Sequence, residues 1–104
     1  TTLAKALFHK LRFAYEGFCF LANVREESKK YGIDSLREKL ILKLLQDRES
    51  PIGMLDAIYP YAMRKLGRKK VFIVLDDVDN VEQLKILAKR HEFGLGSKIL
   101  VTTR

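Results

Sequence analysis

The chain has 104 residues, 47% of them hydrophobic and 32% charged, with a formal net charge of +7. That apolar content suits a folded globular chain and argues against disorder, and no apolar run approaches the roughly 18 residues a membrane span requires. A single cysteine, Cys19, offers no disulfide framework, and without a signal peptide or lipidation motif the composition fits a reducing, intracellular compartment.

The opening Thr1-Thr2-Leu3-Ala4-Lys5-Ala6-Leu7-Phe8 is already helical in pattern, with Leu3, Leu7, Phe8 and Leu11 sharing one face. The two threonines read either as caps or as the tail of a G-x-x-x-x-G-K-[ST] phosphate loop. In such a loop the last hydroxyl ligates Mg²⁺ and the helix N-terminus faces the phosphates. A beginning inside a helix leads us to expect part of a larger domain.

Tyr15-Glu16-Gly17 reads as a loop, and Phe18 to Val24 as a buried strand with Cys19 in the core. A helix is expected from near Ser35, which has capping-box spacing to Glu38, with Ile33, Leu36, Leu40 and Leu44 at helical spacing. It should stop by Glu49-Ser50-Pro51. Leu55, Ile58, Tyr59, Ala62, Met63 and Leu66 form a further helical pattern ending at Gly67. Pro60 inside it predicts a kink or two short helices, since an interior proline costs about 3 kcal/mol or more.

Five consecutive apolar residues, Val71 to Leu75, then run without alternation into Asp76 and Asp77. An unbroken apolar run signals a strand buried on both faces, as in a parallel sheet covered by helices, where ligands sit beyond the carboxyl ends of the strands. Two carboxylates there suit a hard cation such as Mg²⁺, one as ligand and the other to orient or deprotonate a water. This is the shape of a Walker B element. Asp76 to Asn80 also reads as a plain turn capping the next helix, and both readings hold if Asp79 or Asn80 is the cap. That helix carries Val81, Leu84, Leu87 and Ala88, and Gly94 and Gly96 end the segment. A last apolar strand from Lys98 closes in Thr102-Thr103-Arg104.

The positive charge invites a nucleic-acid reading, but most of the lysines and arginines fall at polar positions between apolar helix positions. The one dense run, Arg68-Lys69-Lys70, has no interleaved aromatics, so no direct nucleic-acid contact is expected. His9 and His91 have no partners at zinc-site or triad spacing. The order of elements calls for right-handed crossovers and a parallel, three-layer α/β fold.

Taken together, Thr1-Thr2-Leu3-Ala4, the block Phe18 to Glu26, the block Val71 to Asp79 and the block Gly96 to Arg104 resemble the NB-ARC nucleotide-binding domain. That domain belongs to plant intracellular disease-resistance receptors of the leucine-rich-repeat class. Asp79, commonly Trp in the coiled-coil class, resembles the class with an N-terminal TIR domain. The resemblance implies a P-loop NTPase sheet of the STAND/ASCE type over residues 1–104, running from the end of the Walker A motif to the sensor-arginine strand. The Phe18 strand would lie outermost, the Val71 strand beside it and the Ile99 strand next, with the phosphate-loop strand beyond and absent from the chain.

The same resemblance implies an ADP/ATP switch that oligomerises on activation in defence signalling. Thr1 would ligate Mg²⁺ and Thr2 would contact phosphate. Asp76 would hold the Mg²⁺ site, Asp77 would position or activate water, and Arg104 would sense the γ-phosphate. The implied partners are the nucleotide and the receptor's own TIR and leucine-rich-repeat domains, in the cytoplasm with no membrane span. Slow ATPase activity is expected of the intact protein and none of residues 1–104 alone. The rivals are a scaffold that keeps the fold without nucleotide turnover and some other P-loop ATPase; a preceding Gly-Lys phosphate loop would support the switch.

Overall fold

Three parallel strands, β1 (Gly17–Leu21), β2 (Val71–Val78) and β3 (Lys98–Thr103), form one sheet in the order β1-β2-β3. They are drawn from a computed structural model that describes the backbone of residues 2–45 and 55–103 and the side chains of residues 3–45 and 59–103. The order is the one expected for these three strands. Gly17 pairs with Val71 and Leu21 with Leu75, and on the other side Phe72 pairs with Lys98 and Leu75 with Val101.

The unbroken apolar run of β2 is explained by what covers it. Successive side chains of a strand point to opposite faces, so Val71, Ile73 and Leu75 join one buried cluster while Phe72 and Val74 join another. On the second face lies α1 (Thr2–Leu11), whose Ala4 and Phe8 meet Phe72 and Val74. Phe8 packs edge-on against Phe18 and Phe20, with ring centroids 5.8 and 5.6 Å away. The first face is covered by α3 (Ile33–Leu44), α4 (Leu55–Leu66) and α5 (Val81–Leu87), through Leu36, Leu40, Ile41, Leu44, Ala62, Leu66 and Leu87. Cys19 lies in this core at 2% exposure. Burying a large apolar side chain contributes about 1.5–3 kcal/mol, so both faces favour this arrangement.

Several expectations need correction. The first strand ends at Leu21, and Val24 opens an unforeseen helix, α2 (Val24–Tyr31). Asn23, with φ 55°, makes the turn. Val24 is the only buried residue of α2, so this polar helix has no apolar periodicity to betray it. Ser35 caps nothing: α3 begins two residues earlier, behind Gly32 at φ 86° with no side-chain cap. Gly32 admits that positive φ without Cβ strain, and it fixes the start. Of the two outcomes expected at Pro60, the split does not occur: α4 is one helix with Pro60 inside it, carried past the proline by the packing of Ala62 and Leu66. The proposed stop at Glu49-Ser50-Pro51 lies outside the described residues. The cap expected of Asp79 or Asn80 is there, and it is Asn80, whose side chain accepts from the Glu82 N–H at 2.8 Å. β2 itself does not stop at the carboxylates but continues through them to Val78.

Candidate functional site

β2 and β3 fall out of simple register where the sequence turns acidic. Leu75 pairs with Val101 and Val78 with Thr103, so Asp76 and Asp77 together oppose the single residue Thr102. Two residues against one make a β-bulge, a device that bends a strand and re-aims its side chains. In a regular strand, consecutive residues face opposite sides of the sheet; the bulge breaks that alternation at the carboxylate pair.

Asp77 adopts φ 62°, a left-handed conformation that costs a residue with a Cβ about 1–2 kcal/mol and is tolerated best by Asn and Asp. Thr102 offsets the cost. Its hydroxyl accepts from the Asp77 N–H at 3.0 Å and donates to Asp76 Oδ1 at 2.8 Å. The direction of that proton follows from chemistry, because a backbone N–H can only donate. One hydroxyl therefore fixes the carboxylate of Asp76 and the backbone of Asp77.

Asp76 is 3% exposed, and a buried carboxylate demands hydrogen bonds or a cation. Asp77 Oδ2 lies 3.7 Å from Nε of Arg25 on α2, with the side chains 12% and 27% exposed. That separation is an ion pair and too long for a hydrogen bond. The α2 helix is tied in turn to α5: Gln83 donates to Ser28 Oγ at 3.0 Å and to Asp79 Oδ1 at 3.0 Å, while its own Oε1 accepts from the Asp79 N–H at 3.1 Å. Asp79 thus serves the entry to α5 and its tie to α2.

Of the residues expected to act, Asp76 and Asp77 stand together at the carboxyl end of β2, beside the carboxyl end of β3. Thr1, the side chain of Thr2, and Arg104 lie outside the described residues. His9 and His91 are exposed. Among the described residues, no group of three or more His, Cys, Asp or Glu side chains gathers to hold a metal. The donors present are oxygens: one buried carboxylate, a second beside it and a hydroxyl. This set fits Mg²⁺, which is usually held by one or two carboxylates together with substrate phosphates. It does not fit zinc or another metal that prefers nitrogen and sulfur.

Arg25 and Gln83 were not legible as site residues, because neither stands at any motif spacing from the carboxylates. Thr102 carried a weak signal, being a polar residue gathered at a strand's carboxyl end.

The chain matches the NB-ARC domain family over residues 1–104. It is similar to the disease resistance-like protein DSC1 of Arabidopsis thaliana, 39% identical over 100% of this chain and 9% of that protein. The TMV resistance protein N of Nicotiana glutinosa is 38% identical, over 100% of this chain and 10% of its own length. Disease resistance protein RUN1 of Vitis rotundifolia is 36% identical, over 100% of this chain and 8% of its own length. The chain therefore spans about a tenth of the length of these relatives.

Proposed function

The chain belongs to the NB-ARC domain family, and on that premise we propose that it is part of the ADP/ATP-binding switch of an intracellular plant immune receptor. The fold is an α/β P-loop NTPase type of the STAND class, represented by three parallel strands with helices on both faces. The relatives carry the names of disease resistance proteins, which supports a defence role for the protein containing this chain. A TIR domain, leucine-rich repeats, a cytoplasmic location and oligomerisation on activation are part of the same proposal. No helix among the described residues is long and apolar enough to cross a membrane.

The observation that carries the reading is the bulge, which sets a buried carboxylate and a second carboxylate against Thr102 at the carboxyl end of a parallel sheet, where α/β folds bind ligands. Asp76, oriented by the Thr102 hydroxyl, would hold Mg²⁺ through its carboxylate. Bound Mg²⁺ would neutralise phosphate charge. Asp77 would orient or deprotonate the attacking water, Thr1 and Thr2 would meet the metal and phosphate, and Arg104 would recognise the γ-phosphate through a forked guanidinium. A strand preceding Thr1 would pair with β3, which among the described residues is bonded on one side only.

The test compares Asp76→Ala with Asp77→Ala in the intact protein that contains this chain, measuring Mg²⁺-dependent ATP affinity and turnover separately. Asp76→Ala should weaken Mg-ATP, and Asp77→Ala should chiefly slow turnover. Unchanged affinity and turnover in both variants would favour a scaffold that has kept only the fold.

A further inference from the structure

We propose that Arg25 is a positioning residue for Asp77, and that α2 exists in this fold partly to present it. The proposal rests on the reading of Asp77 as the residue that handles water, and adds how its carboxylate is aimed. The bulge fixes the backbone of Asp77 through the Thr102 hydroxyl, and Arg25 acts on the side chain that this backbone carries. Its Nε lies 3.7 Å from Asp77 Oδ2, and the carboxylate is only 12% exposed, so the ion pair restrains the carboxylate with little screening by water.

Three further observations favour a built contact over a chance surface pair. Arg25 Nε is itself buried and has no hydrogen-bond partner among the described residues, so the carboxylate is its principal compensation. The other carboxylate near Arg25 among the described residues is Glu26, 3.9 Å from its NH2 group and 72% exposed, where water screens attraction. The backbone that carries Arg25 is also anchored: Ser28 Oγ donates to the Arg25 carbonyl at 3.0 Å and accepts from Gln83, a buried residue of α5. A chain of hydrogen bonds therefore runs from α5 to the residue facing Asp77. With its backbone anchored and its Nε paired with Asp77, Arg25 orients the carboxylate without touching the water itself.

The experiment measures kcat and KM for Mg-ATP in the intact protein for Arg25→Gln, Arg25→Lys, Asp77→Asn and the double variant Arg25→Gln with Asp77→Asn. Arg25→Gln should lower kcat about tenfold, the scale of loss when a reacting group is misplaced, with KM within about twofold of the parent. That unchanged KM shows the fold is kept. Arg25→Lys, which preserves the charge, should recover most of the rate. The double variant should be no slower than Asp77→Asn alone, because Arg25 acts only through Asp77.

If Arg25→Gln raises KM as much as it lowers kcat, Arg25 binds the nucleotide and the proposal falls. Losses that multiply in the double variant overturn it equally, as does full activity of Arg25→Gln. Asp77→Asn with undiminished turnover would instead overturn the underlying role of Asp77, an outcome separate from all three.

Discussion

Gln83 and Asp79, one helical turn apart, exchange two hydrogen bonds: the Asp79 N–H donates to Gln83 Oε1 at 3.1 Å and the Gln83 amide donates to Asp79 Oδ1 at 3.0 Å. Gln83 is 8% exposed and bonds Ser28 of α2 as well. Removing the amide takes away three part-buried hydrogen bonds, to Asp79 twice and to Ser28, at about 1–3 kcal/mol in all. Gln83→Ala should therefore lower the unfolding free energy by about that amount in urea titration. A variant as stable as the parent would mean that the α2–α5 tie is not supporting the fold.

The apolar runs made the strands readable, because Val71 to Leu75 is buried on both faces and Phe18 to Leu21 is buried on one and half-buried on the other. The strand order came from the resemblance to the NB-ARC family. α2 was not readable, since its single buried residue, Val24, leaves nothing periodic to detect. The bulge was equally hidden. Asp76 and Asp77 announced a ligand site, but that both oppose Thr102 depends on register between segments separated by some 25 residues. Register is decided by pairing across the sheet and by side-chain bonds, neither of which local sequence records.

A second long-range contact holds the helical face together. Arg37 of α3 donates to both carboxylate oxygens of Glu92 at 3.0 and 2.9 Å, to the Ile86 carbonyl at 3.3 Å and to the Tyr59 hydroxyl at 3.1 Å. The two side chains of the pair are 14% and 13% exposed. The bond from Glu92 holds Arg37 above its ordinary pKa, so the guanidinium stays charged wherever the protein folds. Removing one partner of a fully buried pair costs about 3–5 kcal/mol, so the low end of that range applies to this half-buried pair, and removing both costs less than the sum. Arg37→Met should lose roughly 3 kcal/mol in denaturant titration, and Arg37→Met with Glu92→Gln should lose less than the two single variants added together. Strict additivity would show that the fork contributes no coupling.

Cys19 gives a pH prediction whose sign is fixed by burial. Burial pushes its thiol from 9.0 up to about 11, against the lowering influence of Lys43 and Lys39. A raised folded-state pKa contributes stability that is present in full below 9.0 and is lost as pH climbs toward about 11, because the unfolded chain ionises first. Cys19→Ala should remove that part of the alkaline decline, seen as a smaller fall in unfolding free energy between pH 9 and 11. Below pH 8 a thiol reagent should label Cys19 only as fast as the protein opens. Rapid labelling of the folded protein at pH 7 would contradict the buried position.

The bulge rests on one hydroxyl, and the cleanest test of it changes no charge. Thr102→Val keeps the shape and the β-branch of the side chain, so it retains strand propensity and packing. It removes both the donation to Asp76 and the acceptance from the Asp77 N–H. The left-handed Asp77 then loses what offsets its backbone cost, and β2 gains reason to relax toward regular register. We expect Thr102→Val to lower stability by about 1–3 kcal/mol and to weaken Mg²⁺-dependent ATP binding in the intact protein. Thr102→Ser, which restores the hydroxyl with a poorer strand former, should recover nucleotide binding more fully than stability. That split separates the two roles of the residue, because only the hydroxyl orients Asp76 while the γ-methyl serves packing. Were Thr102→Val to bind Mg-ATP like the parent, the hydroxyl would be a bystander to nucleotide binding.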